Sequence, residues 1–152
     1  MKRRIVEFPH QMLREFVKVY ADGRLAIPRV YEQQIINGRN LDLVGEKEIK
    51  GDIYKVFFEI RTEVVEPGYI EEYLDFCVKE KPHSAYLMMP VSQRETRFWE
   101  DENFRQSRRE LTVIPMEEIY KYVFNFGYHV TNGVIDGNIA LILEPRPEPM
   151  EE

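Results

Sequence analysis

The sequence predicts an α+β protein with a ferredoxin-like βαββαβ core over about residues 52–144. An α/β extension, residues 1–51, is expected to pack on that core, and residues 145–152 form a flexible Pro/Glu tail. Three observations predict this. Hydrophobic patterning passes twice from a β-rich run to a helical stripe and back to a strand. The two rounds echo each other 49 or 50 residues apart: Val64-Val65, Ile70, Tyr73, Leu74 and Phe76 against Val113-Ile114, Ile119, Tyr122, Val123 and Phe126. Each round closes on a strand that ends at a proline, Pro90 and Pro145. Two consecutive strand-helix-strand units make the βαββαβ arrangement.

The first 51 residues admit two readings. In one, Lys2–Phe8 is a strand and Pro9 opens a helix carrying Met12, Leu13, Phe16, Val17 and Tyr20. In the other, Phe16–Tyr20 is a strand, Asp22-Gly23 a hairpin turn and Arg24–Ile27 its partner. Pro28–Ile36 then reads as a short helix and Asn37-Gly38 as a turn. Leu41–Val44 reads as a strand, and Gly45 to Gly51 as a polar link.

Asp52–Val65 is dense in β-branched and aromatic residues and reads as the first core strand. Tyr69, Ile70, Tyr73, Leu74 and Cys77 then recur at helical spacing. Glu71 and Glu72 begin that helix, Lys79 and Lys81 suit its end, and Pro82 stops it. Ala85–Val91 is a buried strand, and the polar stretch Ser92–Arg109 leads to a strand at Glu110–Ile114. Pro115-Met116-Glu117-Glu118 is a good helix start. Gly127 is a plausible terminator for that helix. A Gly/Asn-rich turn, Gly127–Gly137, precedes the strand Asn138–Leu143.

Composition narrows the function classes. Among 152 residues the net charge is -6, with a pI near 5.2. That balance argues against a protein that coats nucleic acid non-specifically. Cys77 is the one cysteine, which excludes an intramolecular disulfide and a cysteine-based zinc cage. No apolar segment follows the basic Met1–Arg4, and the longest apolar runs fall far short of the roughly 20 residues a membrane span needs. The expectation is a cytoplasmic protein with no membrane segment. Charge is unevenly spread. Residues 1–51 hold ten Lys/Arg against seven Asp/Glu, or +3; residues 52–144 hold ten against seventeen, or -7.

The βαββαβ topology would gather three connections at one edge: Glu66–Gly68, Ser92–Arg109 and Gly127–Gly137. Lys81–Ser84 and Pro115 would lie at the other. The long connection carries Arg94, Arg97, Arg105, Arg108 and Arg109, with Phe98, Trp99 and Phe104 between them. Arginine offers a planar fork to phosphate or carboxylate and stacks on aromatic rings. The leading expectation is therefore a non-enzymatic binding or regulatory protein. Arg94, Arg97, Trp99, Arg105, Arg108, Arg109 and His129 would meet a small anionic, phosphate-bearing ligand or a protein partner. An internal lattice with Glu95, Glu100, Asp101, Glu102 and Glu110 around a buried Trp99 is the competing outcome. Loops of this length inside a compact domain are uncommon.

His129 and Thr131 alternate onto one face if their segment is extended. His129-Val130-Thr131 resembles half of the signature of the two-histidine phosphoesterases, which implies a hydrolase with His129 as general acid or base. Thr131 and Asp136 would support it. His83-Ser84-Ala85 has the wrong spacing for the second pair, and His10 lacks a partner. No metal motif and no Gly-rich phosphate loop is visible, and no cofactor is implied.

Asp22-Gly23-Arg24-Leu25-Ala26-Ile27-Pro28 is similar to the strand-turn core of the AbrB/MraZ swapped-hairpin DNA-binding proteins. That resemblance implies a homodimer that presents Arg24 and Arg29 to DNA.

Overall fold

A computed structural model describes residues 4–63, 65–90, 111–124, 128–136 and 138–145. The elements are β1 (Arg4–Glu7), α1 (His10–Arg24), β2 (Arg29–Ile36), β3 (Arg39–Ile49) and β4 (Asp52–Ile60). They continue with α2 (Pro67–Glu80), β5 (Ser84–Met89), β6 (Leu111–Pro115), α3 (Met116–Val123), β7 (Tyr128–Ile135) and β8 (Asn138–Pro145). The α+β class holds.

α1 forms because its apolar residues fall on one stripe: Leu13, Val17, Tyr20 and Ala21 are buried. Asp22, Gly23 and Arg24 belong to its last turn, so the strand-turn of the DNA-binding resemblance does not form. Ala26 takes a positive φ of 56°, and the chain bends there into β2. Residues 29–36, expected as a short helix, are a strand paired with β3. Asn37-Gly38 and Lys50-Gly51 both have positive φ at their two residues, 46° with 84° and 52° with 86°. Two such residues in a row match the right-handed twist of the flanking strands. They fold residues 29–60 into a three-stranded antiparallel meander, and the supposed polar link after Val44 is the continuation of β3.

α2 begins at Pro67, earlier than the pattern suggested, so Glu71 and Glu72 fall after its first turn. Lys81 ends it in the left-handed conformation, φ 54°. α2 carries the chain back so that β5 pairs in parallel directly beside β4, and β6 pairs in parallel beside β5.

This order corrects the ferredoxin-like expectation. The five-stranded sheet runs β2-β3-β4-β5-β6, and β1-β8-β7 is a separate three-stranded sheet. In a βαββαβ core, another strand would lie between β4 and β5. Here no strand intervenes, and the last strand pairs with β1 and β7 instead. Residues 128–135, expected within a turn, are strand β7. Because β6 runs parallel to β5, Pro115 lies at the same edge as Met89 rather than the opposite one.

Both faces of the large sheet are covered. On one face α2 buries Ile70, Tyr73, Leu74 and Cys77 against Phe57, Ala85, Leu87 and Val113. On the other, α1, α3 and the small sheet meet Leu43, Val56, Phe58, Ile60 and Met88. Phe8, Phe16, Tyr120 and Phe124 form a ring cluster there, with centroids 5.0 to 6.2 Å apart. The Tyr20 hydroxyl crosses from α1 to α3, donating to Glu118 at 2.8 Å.

Candidate functional site

Strands buried on both faces read as nearly continuous apolar runs. β4 obeys this from Val56 to Ile60, with one exception, Glu59, which is 1 % exposed. A carboxylate in such a place must be paired or neutral. Glu59 lies on the α2 face, at the end of β4 where the parallel strands finish.

Its partners come from three elements. Arg61, just past β4, donates from Nη2 to Glu59 Oε2 at 3.0 Å. The Tyr69 hydroxyl, in the first turn of α2, donates to the same oxygen at 2.9 Å and accepts Arg61 Nε at 2.8 Å. Arg39, the first residue of β3, holds its Nε 3.9 Å from Glu59 Oε1. Both of those atoms are buried, and neither has a hydrogen-bond partner among the described residues. The Arg39 guanidinium is fixed by three rings of α2: its carbon lies 5.6 Å from the Tyr69 centroid, 5.2 Å from Tyr73 and 5.4 Å from Phe76. Such contacts suit the flat, weakly hydrated cation.

Asp42 brings a second carboxylate. Its Oδ2 accepts the Ile60 N–H at 2.7 Å. β3 changes face near it: Leu41 packs on the α2 side and Leu43 on the other, although neighbours two apart share a face in a regular strand. Gln33 of β2 has φ 49° and drops out of the ladder between the pairs Glu32–Leu43 and Gln34–Leu41. That interruption of the edge ladder sits where β3 turns over. His10, the first residue of α1, completes the group. Arg14 Nη1 donates to His10 Nδ1 at 2.9 Å, and His10 Nε2 lies 3.1 Å from the Ile60 carbonyl. Arginine only donates, so His10 accepts at Nδ1 and turns Nε2 toward the Ile60 carbonyl. That nitrogen is also 3.7 Å from Asp42 Oδ1.

Electrostatics follow from burial. Desolvation pushes the Glu59 carboxyl above its ordinary range, and the nearby Asp42 charge adds to it; Tyr69, Arg61 and Arg39 oppose this without cancelling it. Burial first, then the Glu59 charge, pushes the Tyr69 hydroxyl up to about 12. For Arg61, desolvation works against its charge, but the Tyr69 oxygen and the carboxyls of Glu59 and Asp42 together raise its pKa. The two partners thus move in different senses, Glu59 toward its neutral form and Arg61 toward its charged one. A guanidinium is charged in either case, so Glu59 decides the state of the pair.

Among the described residues, no three side chains of the His, Cys, Asp or Glu type form a ready metal cage. The oxygen set here mixes side chain and main chain: Asp42, Glu59 and the Ile60 carbonyl. Hard divalent cations accept such mixed oxygen sets.

The residues singled out from sequence lie elsewhere. Arg94, Arg97, Trp99, Arg105, Arg108 and Arg109 lie outside the described residues, as does the tail from residue 146. The ends of their connection are placed: it leaves β5 at Met89, the edge where Arg61 emerges, and enters β6 at Leu111. His129 and Thr131 are exposed on β7, opposite Glu144 and Ile142 of β8. Asp136 sits at the far end of that strand with φ 50°. Seven residues of extended chain separate it from His129 by about 23 Å, so it cannot orient that imidazole. Arg24 ends α1, and Arg29 begins β2 with its Nη1 4.0 Å from Glu46. Sequence reasoning missed Asp42, Glu59, Arg61, Arg39 and Tyr69. The one signal was an acid inside the apolar run Val56–Ile60, followed two residues later by Arg61.

Comparison with protein families, with curated proteins and with solved structures finds no match for this chain. No helix among the described residues is long and apolar enough to cross a membrane.

Proposed function

We propose that the protein is a divalent-cation-dependent hydrolase of phosphate esters, working at the carboxyl end of its parallel strands. The observation that carries this reading is the meeting of Asp42, the Ile60 main chain and the unsatisfied, buried Glu59 Oε1 beside two arginines. Open sheets bind ligands at the carboxyl ends of parallel strands, because the loops that follow those strands all leave there. Asp42, Glu59 and the Ile60 carbonyl would hold the cation, which would polarise a phosphoryl oxygen and make bound water a better nucleophile. The Arg61 side chain is 39 % exposed, so its fork is available to a phosphate while Tyr69 and Glu59 keep it oriented. His10, with Nε2 beside both, keeps the Ile60 carbonyl and Asp42 in place. In the reaction the water oxygen bonds to phosphorus and the ester P–O bond breaks. The alcohol leaves with the proton that the water gives up.

A second reading is binding of a phosphate-bearing ligand or a protein partner without turnover. It rests on Arg94, Arg97, Trp99, Arg105, Arg108 and Arg109, and is favoured by their connection leaving β5 at this same edge.

Incubation with bis(p-nitrophenyl) phosphate and Mg²⁺ or Mn²⁺ separates them. The hydrolase reading expects nitrophenol release, abolished by chelator and lowered about a hundredfold by Glu59→Gln or Asp42→Asn in proteins that stay folded. His129→Ala should leave it unchanged. Ligand binding with no release at any metal concentration supports the second reading and overturns the first. Loss of release in His129→Ala alone transfers the chemistry to β7.

A further inference from the structure

The guanidiniums of Arg39 and Arg61 converge on one oxygen. The Tyr69 hydroxyl accepts from Arg39 Nη2 at 3.4 Å and from Arg61 Nε at 2.8 Å, so those two nitrogens lie at most about 6 Å apart. Both groups are held before any ligand arrives. The Arg61 main-chain N–H donates to the Met88 carbonyl, Nη2 donates to Glu59, and the guanidinium carbon lies 4.5 Å from the Tyr69 centroid. Arg39 rests against the rings of Tyr69, Tyr73 and Phe76. Cations fixed in this way lose little freedom when an anion binds. Exposure orders the charged groups from inside to outside. The Glu59 side chain is 2 % exposed, Arg39 18 %, Arg61 39 % and Glu72 76 %. The inner carboxyl is pushed toward its neutral form. The outer one is loosely held: Glu72 Oε1 lies 3.8 Å from Arg39 Nη1, beyond hydrogen-bond distance. An ion pair with so exposed a member contributes little. Arg61 Nη1 has no hydrogen bond to any other described residue. Arg39 and Glu72 also line a surface groove with Asn37, Asp75, Phe76 and Lys79, which gives a ligand its approach.

We infer that Arg39 and Arg61 form a metal-independent site for a phosphate group, and that the Glu72 carboxylate is the placeholder which the phosphate displaces from Arg39. Two guanidiniums around one hydroxyl present two separate forks. A planar carboxylate has two oxygens and matches a single fork, whereas a terminal phosphate can give one oxygen to each Nη1 and keep a third for solvent. Asp42 does not compete for these donors, because its Oδ2 accepts the Ile60 N–H at 2.7 Å. The phosphate is inorganic or belongs to a monoester whose organic part lies along the groove at Phe76. The site shares Arg61 with the hydrolase reading but needs no cation, so either can fail without the other.

The test is calorimetric titration of the full chain at low salt, in the presence of chelator, with inorganic phosphate, phenyl phosphate and acetate in parallel. The expected result is binding of one phosphate per chain, with acetate weaker by about tenfold. Arg39→Met keeps a long apolar side chain against the three rings and removes the charge; it should weaken phosphate binding by about tenfold or more. Glu72→Gln removes the placeholder and should tighten phosphate binding by about threefold. Phenyl phosphate binding more tightly than inorganic phosphate assigns the groove to an organic monoester, and equal affinity assigns the site to inorganic phosphate; either supports it. No phosphate binding in chelator overturns the inference, as does acetate binding as tightly as phosphate. Binding that appears only after Mg²⁺ is added also overturns it and returns the anion to the cation-dependent reading. Unchanged affinity in folded Arg39→Met overturns it as well. If that variant fails to fold, Glu72→Gln decides, because Glu72 is exposed: tighter binding supports the inference, and unchanged or weaker binding overturns it.

Discussion

Two regions carry polar side chains in suggestive groups, and they are built in opposite ways. The β7 segment holds His129, Thr131 and Asp136 close in sequence, but an extended strand spreads them over about 23 Å. They stand exposed on the small sheet. The carboxyl end of β4 holds His10, Arg39, Asp42, Glu59, Arg61 and Tyr69, which span 60 positions and meet within a few ångströms. Proximity along the chain made the first group visible. Only strand pairing and the return of α2 made the second. Burial also separates them: Glu59 is enclosed and its carboxyl shifted upward, whereas His129 faces water.

The largest way to break the comparison is Glu59→Ala. It leaves Arg39 and Arg61 without their buried counter-charge and should cost about 3–5 kcal/mol, read from denaturant unfolding. A loss below about 1 kcal/mol would mean that the network is solvated and that burial does not distinguish the regions. Gly45→Ala probes the sheet under the site. An added Cβ would lie 2.7 Å from Ile27 Cγ2 and 3.3 Å from Phe58 Cε2, both in the core, so a destabilisation of about 1–3 kcal/mol is expected. Tyr69→Phe removes a hydroxyl that serves Arg61 and Glu59 together, and should cost about 1–3 kcal/mol.

The pH dependence of Glu59 is subtler. Its folded pKa lies above the ordinary value, so the folded state holds this proton more tightly than the unfolded state does. The stability linked to it is complete below the ordinary glutamate range and is lost as pH rises through the folded value. Unfolding measured across pH should show the unaltered protein losing ground to Glu59→Gln in that direction; a constant difference would place the carboxyl at its ordinary value. Smallest of all is His129→Ala, an exposed change expected within about 0.5 kcal/mol. A thermal shift well beyond that would show β7 to be part of a packed network after all.

Local pattern was enough for α2 and α3. Leu13, Val17 and Tyr20 fit α1, although the pattern left a strand at Phe16–Tyr20 equally open; Ile70, Tyr73 and Cys77 mark α2; Ile119 falls on the buried stripe of α3. Each is a 3.6-residue rhythm that needs no knowledge of the rest of the molecule. Asn37-Gly38 was likewise legible as a turn, because positive φ at two successive positions is a local demand. Arg29–Ile36 was not. Its burial pattern as an edge strand is irregular, and Gln33 breaks the alternation that would have marked it as a strand.

What the sequence by itself determined is the α+β class, the helices α2 and α3, the turn at Asn37-Gly38 and a net charge of -6. Those properties follow from side-chain chemistry and spacing along a few turns or a few residues of strand. Tertiary structure alone decided which strand lies beside which. Two βαβ-like patterns are compatible with several sheet orders, and the energy that selects among them comes from long-range burial. By pairing β3 with β4 and returning α2 across them, the fold brought Asp42, Arg39 and Tyr69 to Glu59 and Arg61. A buried acid becomes a site only when its neighbours are known, and here those neighbours come from other strands and helices.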